Sequence, residues 1–590
     1  MKISIAVFLF IISGFFNLMA QPEKIADLSK LRKEIGGYRE NLRVPIVISG
    51  THSYMCGSQN GTFPFVKKWI RDMNGVWAPP IKLLDGIYFQ LNSAPGQTDE
   101  LWEPQVIMVS PVSNTWHYRA AQGTAKVTRE DFCPDGERGL YIKLTVEDIR
   151  PEEESKDDRV MGWRCLVRED VSPSFFADRL KQYDAEDHVW KKEGILCAKD
   201  RNKEWYAGVT SIPAPRSLRW EDTDTELKKR VDEHLGNGRW GEFIVDVTVP
   251  AGGKVSIWIV VGGTSISEED FFTGMKRLRE SDPETMLQSK KERVSELLDH
   301  TNLIINDKDI ERAFYWMKAN LSMMDLYVPI DTYDRYGLDP EKDSEPLHGI
   351  VAGFPWYANW FSNDGCYTIM GLLSVGHQEA ARGHLRLIGN ASRFVNGNGR
   401  ILHELSQSGM NVGLGNIQET GHYIHTVRDY VRWTGDLDLA REFYDYCKIG
   451  LFDFLLGERN KDGDELPHGP GISEVPNLDG KVIDTAVHTC MAADAVAEMA
   501  DWFNEPEVSQ RAAAIHTRLK EKIRTSFWMP ETEEFGDNIA PAGRWVEILP
   551  GMIKEKEQSP VTNVQPLKEL YEKAKKMPPE QDLIGQYGTM

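Results

Sequence analysis

The sequence predicts two large domains, an antiparallel β-sandwich followed by an all-α toroid of paired helices. Three observations carry this reading. From Val44 to about Val261 the chain runs in short, alternating, β-branched segments punctuated by Gly, Pro, Asn and Asp. From Asp307 onward apolar residues recur at spacings of three and four. Within that second half, apolar or Ala-rich helices alternate with amphipathic ones, as an inner ring enclosed by an outer ring requires. The division reads as residues 1–20 for a leader, 21–265 for the sandwich, 266–303 for a helical linker and 304–590 for an (α/α)6 toroid. An irregular helical domain is the alternative for the last of these.

The leader comes first. Lys2 is followed by an apolar run from Ile3 to Phe16 and by the small-residue pattern Leu18-Met19-Ala20, so Gln21 would begin the mature chain. This predicts export, to the periplasm or the medium, with no membrane attachment after cleavage. An uncleaved anchor is the other reading. No later segment reaches about 18 uninterrupted apolar residues. A net charge of -21, with nothing in the sequence that resembles a basic stripe, argues against nucleic acid and suits a neutral substrate. The seven cysteines are scattered without a C-x-x-C pair, so they are expected in cores rather than in a zinc or redox site.

The strands are clearest at Val44–Ser49, Leu140–Val146, Gly241–Val249 and Lys254–Val261. No helical pattern separates them regularly, which excludes βαβ units and favours a sandwich. Asn74 to Gly86 is a conspicuous loop, read as an ordinary turn, with a reach toward a neighbouring domain as the alternative. Ser267-Glu-Glu-Asp and Ser281-Asp-Pro-Glu then open two linker helices. Ile310, Phe314, Met317, Leu321 and Met324 form an amphipathic stripe over 309–327. Further helices are expected at 362–376, 377–393, 417–434, 436–457, 484–503 and 505–527. The 484–503 helix carries Ala486, Ala492, Ala493, Ala495 and Ala497, small residues that let neighbours approach on several sides.

The chemistry lies in the loops. The stretch Gly353 to Asp364 places Trp356, Tyr357, Trp360 and Phe361 before a helix that starts at Ser362-Asn363-Asp364. Rings stack on the C–H faces of a pyranose, and a carboxylate accepts from its hydroxyls. A buried aromatic cluster with a capping Asp is the competing account. His403 and Glu404, then Glu419, then Glu474 and Asp479 occupy the next three loops, each before or between helices. In a toroid such loops converge at one end. Converging carboxylates among aromatic rings fit glycoside hydrolysis, in which one acid protonates the leaving oxygen and a second group activates water about 6.5–9.5 Å away. Asn460 to Glu465 alternates oxygen-bearing side chains like a calcium loop, but lacks the Gly and distal Glu at the needed offsets, so it reads as a hydrogen-bonded turn. No metal or cofactor is expected.

The stretch Gly353-Phe-Pro-Trp-Tyr-Ala-Asn-Trp-Phe-Ser-Asn-Asp364 resembles the Gly-Tyr-Pro-Trp-Phe-x-x-Trp-Gly-Arg-Asp signature of amylo-alpha-1,6-glucosidases, the glycogen debranching enzyme family. Gly399 to Glu404 looks like that family's next loop, and Glu419 to Gly435 is similar to the helix that follows. Asn74 to Gly86 resembles a β-domain loop of related bacterial proteins. Through this family the chain resembles the six-hairpin glycosidase superfamily over most of its length. The resemblance implies an (α/α)6 barrel behind a β-sandwich, hydrolysis with inversion, a sugar-contacting role for Asp364 and a general acid in the loop before the sixth helix. Glu474 is the best match for that acid and Asp479 its competitor. Asn363 stands where the family has Arg, and the Trp-Met-Asp acid motif is absent. Seven helices are counted, with an eighth near Val564–Lys576, so the toroid is expected to be truncated at the C-terminus.

Together these readings predict an exported glycoside hydrolase acting on α-glucosides or related oligosaccharides and polysaccharides. Glu474 and Asp479 are its catalytic candidates. Trp356, Trp360, Asp364, His403, Glu404 and Glu419 are its substrate-binding candidates. A glycan-binding protein without turnover is the rival from another class. A polysaccharide lyase is a third, disfavoured by the net acidity and by the carboxylate-bearing loops.

Overall fold

A computed structural model describes residues 28–36, 44–64, 66–68, 71–174, 183–220, 237–341, 346–472, 479–558 and 563–586. The leader and Glu474 lie outside these residues. No helix among the described residues is long and apolar enough to cross a membrane.

The first half is an antiparallel sandwich, as expected. A nine-stranded sheet faces an eight-stranded one, and the strand pairs within each are antiparallel. Alternation decides which side chains turn inward. Along Ala125–Phe132, Ala125, Val127 and Arg129 are buried while Lys126, Thr128 and Glu130 are partly exposed. The long strands Ile81–Ala94 and Arg159–Pro173 pair Phe89 with Cys165 and are buried over most of their length. All seven cysteines are buried free thiols.

The linker forms two helices, α1 (Glu268–Glu280) and α2 (Pro283–Asp299). Ser267 and Asp282 cap them by accepting from backbone N–H groups of the first turn. Lys290 on α2 donates to the carbonyls of Ser49 at 2.6 Å and Cys133 at 2.7 Å, tying the linker to the sandwich.

The second half opens with α3 (Lys308–Met323). Hairpins follow: α4 (Ser362–Ser374) with α5 (Gln378–Val395), α6 (Ile417–Thr434) with α7 (Leu437–Ile449), and α8 (Ile483–Trp502) with α9 (Pro506–Ser526). A fourth hairpin, α10 (Ala542–Lys556) with α11 (Gln565–Ala574), has its own core around Trp545. Helices α4, α6 and α8 pack side by side as an inner row, and α5, α7 and α9 pack behind them. The alanines of α8 are buried, which permits that enclosure.

Most expected boundaries hold within about two residues, with four differences, the first being that the 309–327 helix ends at Met323 and gives way to a short strand, Asp325–Tyr327. Helix α10 has no counterpart in the sequence pattern, because Pro550 and Gly551 interrupt its periodicity. The 436–457 stretch turns π-helical over Gly450–Glu458. And Asn74–Gly86 is no ordinary turn. It supplies two strands, and its Trp77 joins Tyr54 and Cys56 in the core of the helical half. Tyr54 packs against Phe354 at 4.6 Å between ring centroids, so the sandwich supports the aromatic loop directly. In the sandwich, Asp85 is buried between Lys82 at 2.6 Å and Arg168 at 2.9 Å, with Asp72 at 3.8 Å from Lys82 as a second carboxylate.

Candidate active site

The loops that precede the inner helices are held in register by small sheets. Strands His348–Gly353, Tyr357–Phe361, Glu404–Leu405 and Asn411–Gly413 form an antiparallel run that joins the loop before α4 to the loop before α6. Strands Lys481–Val482 and Asn538–Pro541 likewise join the loops before α8 and α10. The N-termini of the inner row therefore lie at one end, and the carboxylates at those termini share it.

At the first loop the aromatic rings divide. Trp356 is 43 % exposed and Tyr357 54 % exposed. Trp360 is fully buried, edge-on to Tyr336 at 5.9 Å, and its indole lies so close to Gly349 that a Cβ there would collide with Nε1. Trp360 is thus a core residue and cannot contact sugar, which corrects the expectation. The alternation of the short strand decides this: Tyr357 points out where Trp360 points in. Asp364 stands exposed in the first turn of α4, and the capping position, Phe361, has no side-chain cap. Asp364 is therefore available to a ligand rather than consumed by the helix end.

The next loop contributes His403, Glu404 and Glu419. Phe361 meets His403 edge-on at 5.5 Å, and Ser362 N–H donates to the His403 carbonyl at 3.0 Å. His403 Nδ1 lies 2.5 Å from Glu419 Oε1, and Glu419 Oε2 accepts from Asn416 N at 2.6 Å. Asn416 and Glu419 form the capping box of α6, so the buried carboxylate serves the helix and the histidine together. Burial pushes the Glu419 carboxyl upward, opposed by His403 and the Asn416 N–H. Glu404 is buried and accepts from Asn359 Nδ2 at 2.7 Å. These two acids support the site from below; His403, partly exposed, is the member of the set that meets solvent.

The third loop departs most from expectation. Asp479 is exposed, and its carboxylate is ion-paired with Lys461. Burial raises its pKa, but Lys461, with Arg459 and His468 further off, outweighs this and the net shift is downward, the opposite of the shift that a general acid needs. A second carboxylate of this loop is Asp484, in the first turn of α8, which the sequence pattern does not single out. It is partly buried, accepts from Ile472 N and Thr485 N at 2.6 Å each, and its pKa is raised by burial against those two bonds. The adjacent Asn460–Glu465 segment is the expected turn. Asn460 and Asp464 accept from backbone N–H groups, and the Lys481 ammonium, bonded to Asp464 at 2.9 Å and Asp462 at 2.6 Å, supplies the positive charge there.

Beyond the loops, the inner row carries residues that the sequence pattern does not single out. Tyr367 on α4, 56 % exposed, meets His422 on α6 edge-on at 4.4 Å. His422, His425 and His488 then cluster across α6 and α8, with ligand atoms within 4.8 Å of one another. Burial and mutual repulsion push His422 down to about 2, and burial with His425 pushes His488 down to about 3. Spacing signals only that His422 and His425 share one helix face; His488 lies 63 residues beyond His425. A cavity of about 390 Å³ lies elsewhere, between Tyr327, Leu347, His348 and α5. Its arginines, Arg382 and Arg386, are bound to Asp436 and Glu442, which neutralises their charge.

No family model and no curated protein matches the chain. Solved structures do. A bacterial glucoamylase complexed with acarbose aligns over 83 % of this chain and 70 % of its own, with a TM-score of 0.53 and 13 % identity. A putative kojibiose phosphorylase from the human microbiome aligns over 92 % of this chain and 76 % of its own, with a TM-score of 0.55 and 10 % identity. The class this defines is one of fold: a β-sandwich ahead of paired helices, the arrangement shared with that glucoamylase and that phosphorylase.

Proposed function

We propose that this chain is an exported glycoside hydrolase that cleaves α-glucosides or a related α-linked glycan, with inversion. One observation carries the reading: carboxylates head the consecutive inner helices α4, α6 and α8 at the same end as two exposed aromatic rings. The glucoamylase and phosphorylase of the same fold support the substrate class by analogy. Trp356 and Tyr357 stack on the terminal sugar, and Asp364 and His403 bind its hydroxyls. Glu419 holds His403 in place from beneath.

Protonation of the leaving oxygen falls to the loop before α8. Asp484, whose carboxyl burial shifts upward, and Glu474, earlier in the same loop, are the two candidates. Asp484 is preferred because burial supplies the raised pKa that a general acid needs. The export assignment rests on the leader pattern of residues 1–20.

The test is a panel of α-linked disaccharides and maltooligosaccharides, with and without inorganic phosphate, followed by sugar release and anomer-resolved NMR. Release of the β-anomer without phosphate supports inverting hydrolysis. Phosphate-dependent release would instead make the chain a phosphorylase. Tight binding without any release would leave it a glycan-binding protein.

A further inference from the structure

The histidine cluster of the inner row lies next to the carboxylates of the proposed hydrolysis but contains none of them. We infer that His422, His425 and His488 form a binding site for a divalent transition metal of the zinc type, clamping α6 to α8.

The geometry is that of ligands rather than of packing. His422 and His425 stand three residues apart on α6, one turn of a helix face, and His488 faces them from α8. His425 Nε2 lies 3.1 Å from His488 Nδ1. Two nitrogens bound to one tetrahedral zinc at about 2.0–2.1 Å lie about 3.3–3.4 Å apart, so these two need to move only a few tenths of an ångström. The third ring is already turned. His422 Nδ1 lies 2.7 Å from Asn363 Oδ1, so it donates there and leaves Nε2 with a lone pair for a metal.

The outer contacts also follow the pattern of metal-bound imidazoles, which pass their second N–H to an oxygen acceptor. Asn363 serves His422 in this way. For His425 the acceptor is Asp429, whose Oδ2 stands 3.5 Å from Nδ1. That Nδ1 is buried and makes no hydrogen bond, a cost that a small rotation toward Asp429 on metal binding would remove. Three imidazoles without a carboxylate suit zinc, cobalt or nickel rather than calcium or magnesium. Tyr367, over His422 and half exposed, marks the side from which a water could complete the site.

The test uses the whole chain, free of any affinity tag and stripped with chelator. Titration with Zn²⁺ alone should show one equivalent bound, with a rise in melting temperature. X-ray absorption of the zinc-loaded wild type should show three imidazole scatterers. His488→Gln should weaken binding by about a hundredfold or more, and Asp429→Asn by about tenfold. Absence of stoichiometric binding, a shell without imidazole, or an affinity unchanged in a folded His488→Gln variant would each overturn the assignment. If the variant fails to fold, the wild-type absorption spectrum decides. Loss of this site would leave the hydrolysis proposal untouched, because no carboxylate of that proposal belongs to it.

Discussion

Replacing Glu419 by Ala removes one carboxylate from two structures at once. It ends the capping box of α6 by taking away the acceptor 2.6 Å from Asn416 N, and it removes the oxygen 2.5 Å from His403 Nδ1. Loss of a cap costs about 1 kcal/mol. Loss of a hydrogen bond to a charged, buried group costs about 1.5–3 kcal/mol. The sum is roughly 2–4 kcal/mol, a drop in melting temperature on the order of 10 °C for a domain of this size. Glycan affinity should fall as well, because the His403 ring loses its anchor. Thermal and urea unfolding of the helical half, followed by circular dichroism, measures the first effect, and calorimetry with the best glycan measures the second. A second variant tests the electrostatics. Burial raises the folded-state pKa of Glu419 above its ordinary 4.5. A raised carboxyl contributes its stability in full below about 4.5, where folded and unfolded chains are both protonated, and loses it as pH climbs from there through the folded-state pKa. The stability of wild type relative to Glu419→Gln should therefore decline as pH rises from below about 4.5 toward neutrality. An alanine variant within about 0.5 kcal/mol of wild type, the scatter of ordinary surface changes, would show that the carboxylate neither caps α6 nor anchors His403.

The two tryptophans of the aromatic loop should behave oppositely. Trp356→Ala should lower glycan affinity by about 1–2 kcal/mol with little change in melting temperature, whereas Trp360→Ala should cost about 3–5 kcal/mol of stability by opening a cavity. Asp484→Asn should abolish hydrolysis of unactivated glycosides while a glycan still binds. Asp479→Asn should leave turnover within about twofold, because an exposed ion pair is worth about 0–1 kcal/mol; full activity in Asp484→Asn and loss in Asp479→Asn would reverse the assignment. Gly349→Ala should reduce the yield of folded protein sharply, because its Cβ would collide with the Trp360 ring; a normal yield and melting temperature would count against that packing.

Local patterning determined a great deal. Period-two alternation marked the sandwich, and spacings of three and four marked α3 to α9 and α11. The starts of the two linker helices at Ser267 and near Ser281 were legible, as were the core positions of the cysteines, because each is a property of a few neighbouring residues. Tertiary structure decided what depended on distant partners. Whether Trp356 or Trp360 meets solvent turns on a strand pairing and on the space beside Gly349. In which direction the carboxyls of Asp479 and Asp484 shift turns on Lys461, 18 residues before Asp479, and on the burial of the head of α8. Trp77 reads as part of a turn until Tyr54 and the helical core close around it. The histidine cluster needs α6 and α8 side by side before it exists at all. Periodicity reports which face of an element is buried; it carries no information about which other element buries it, and the charge and geometry of a site are set by that second choice.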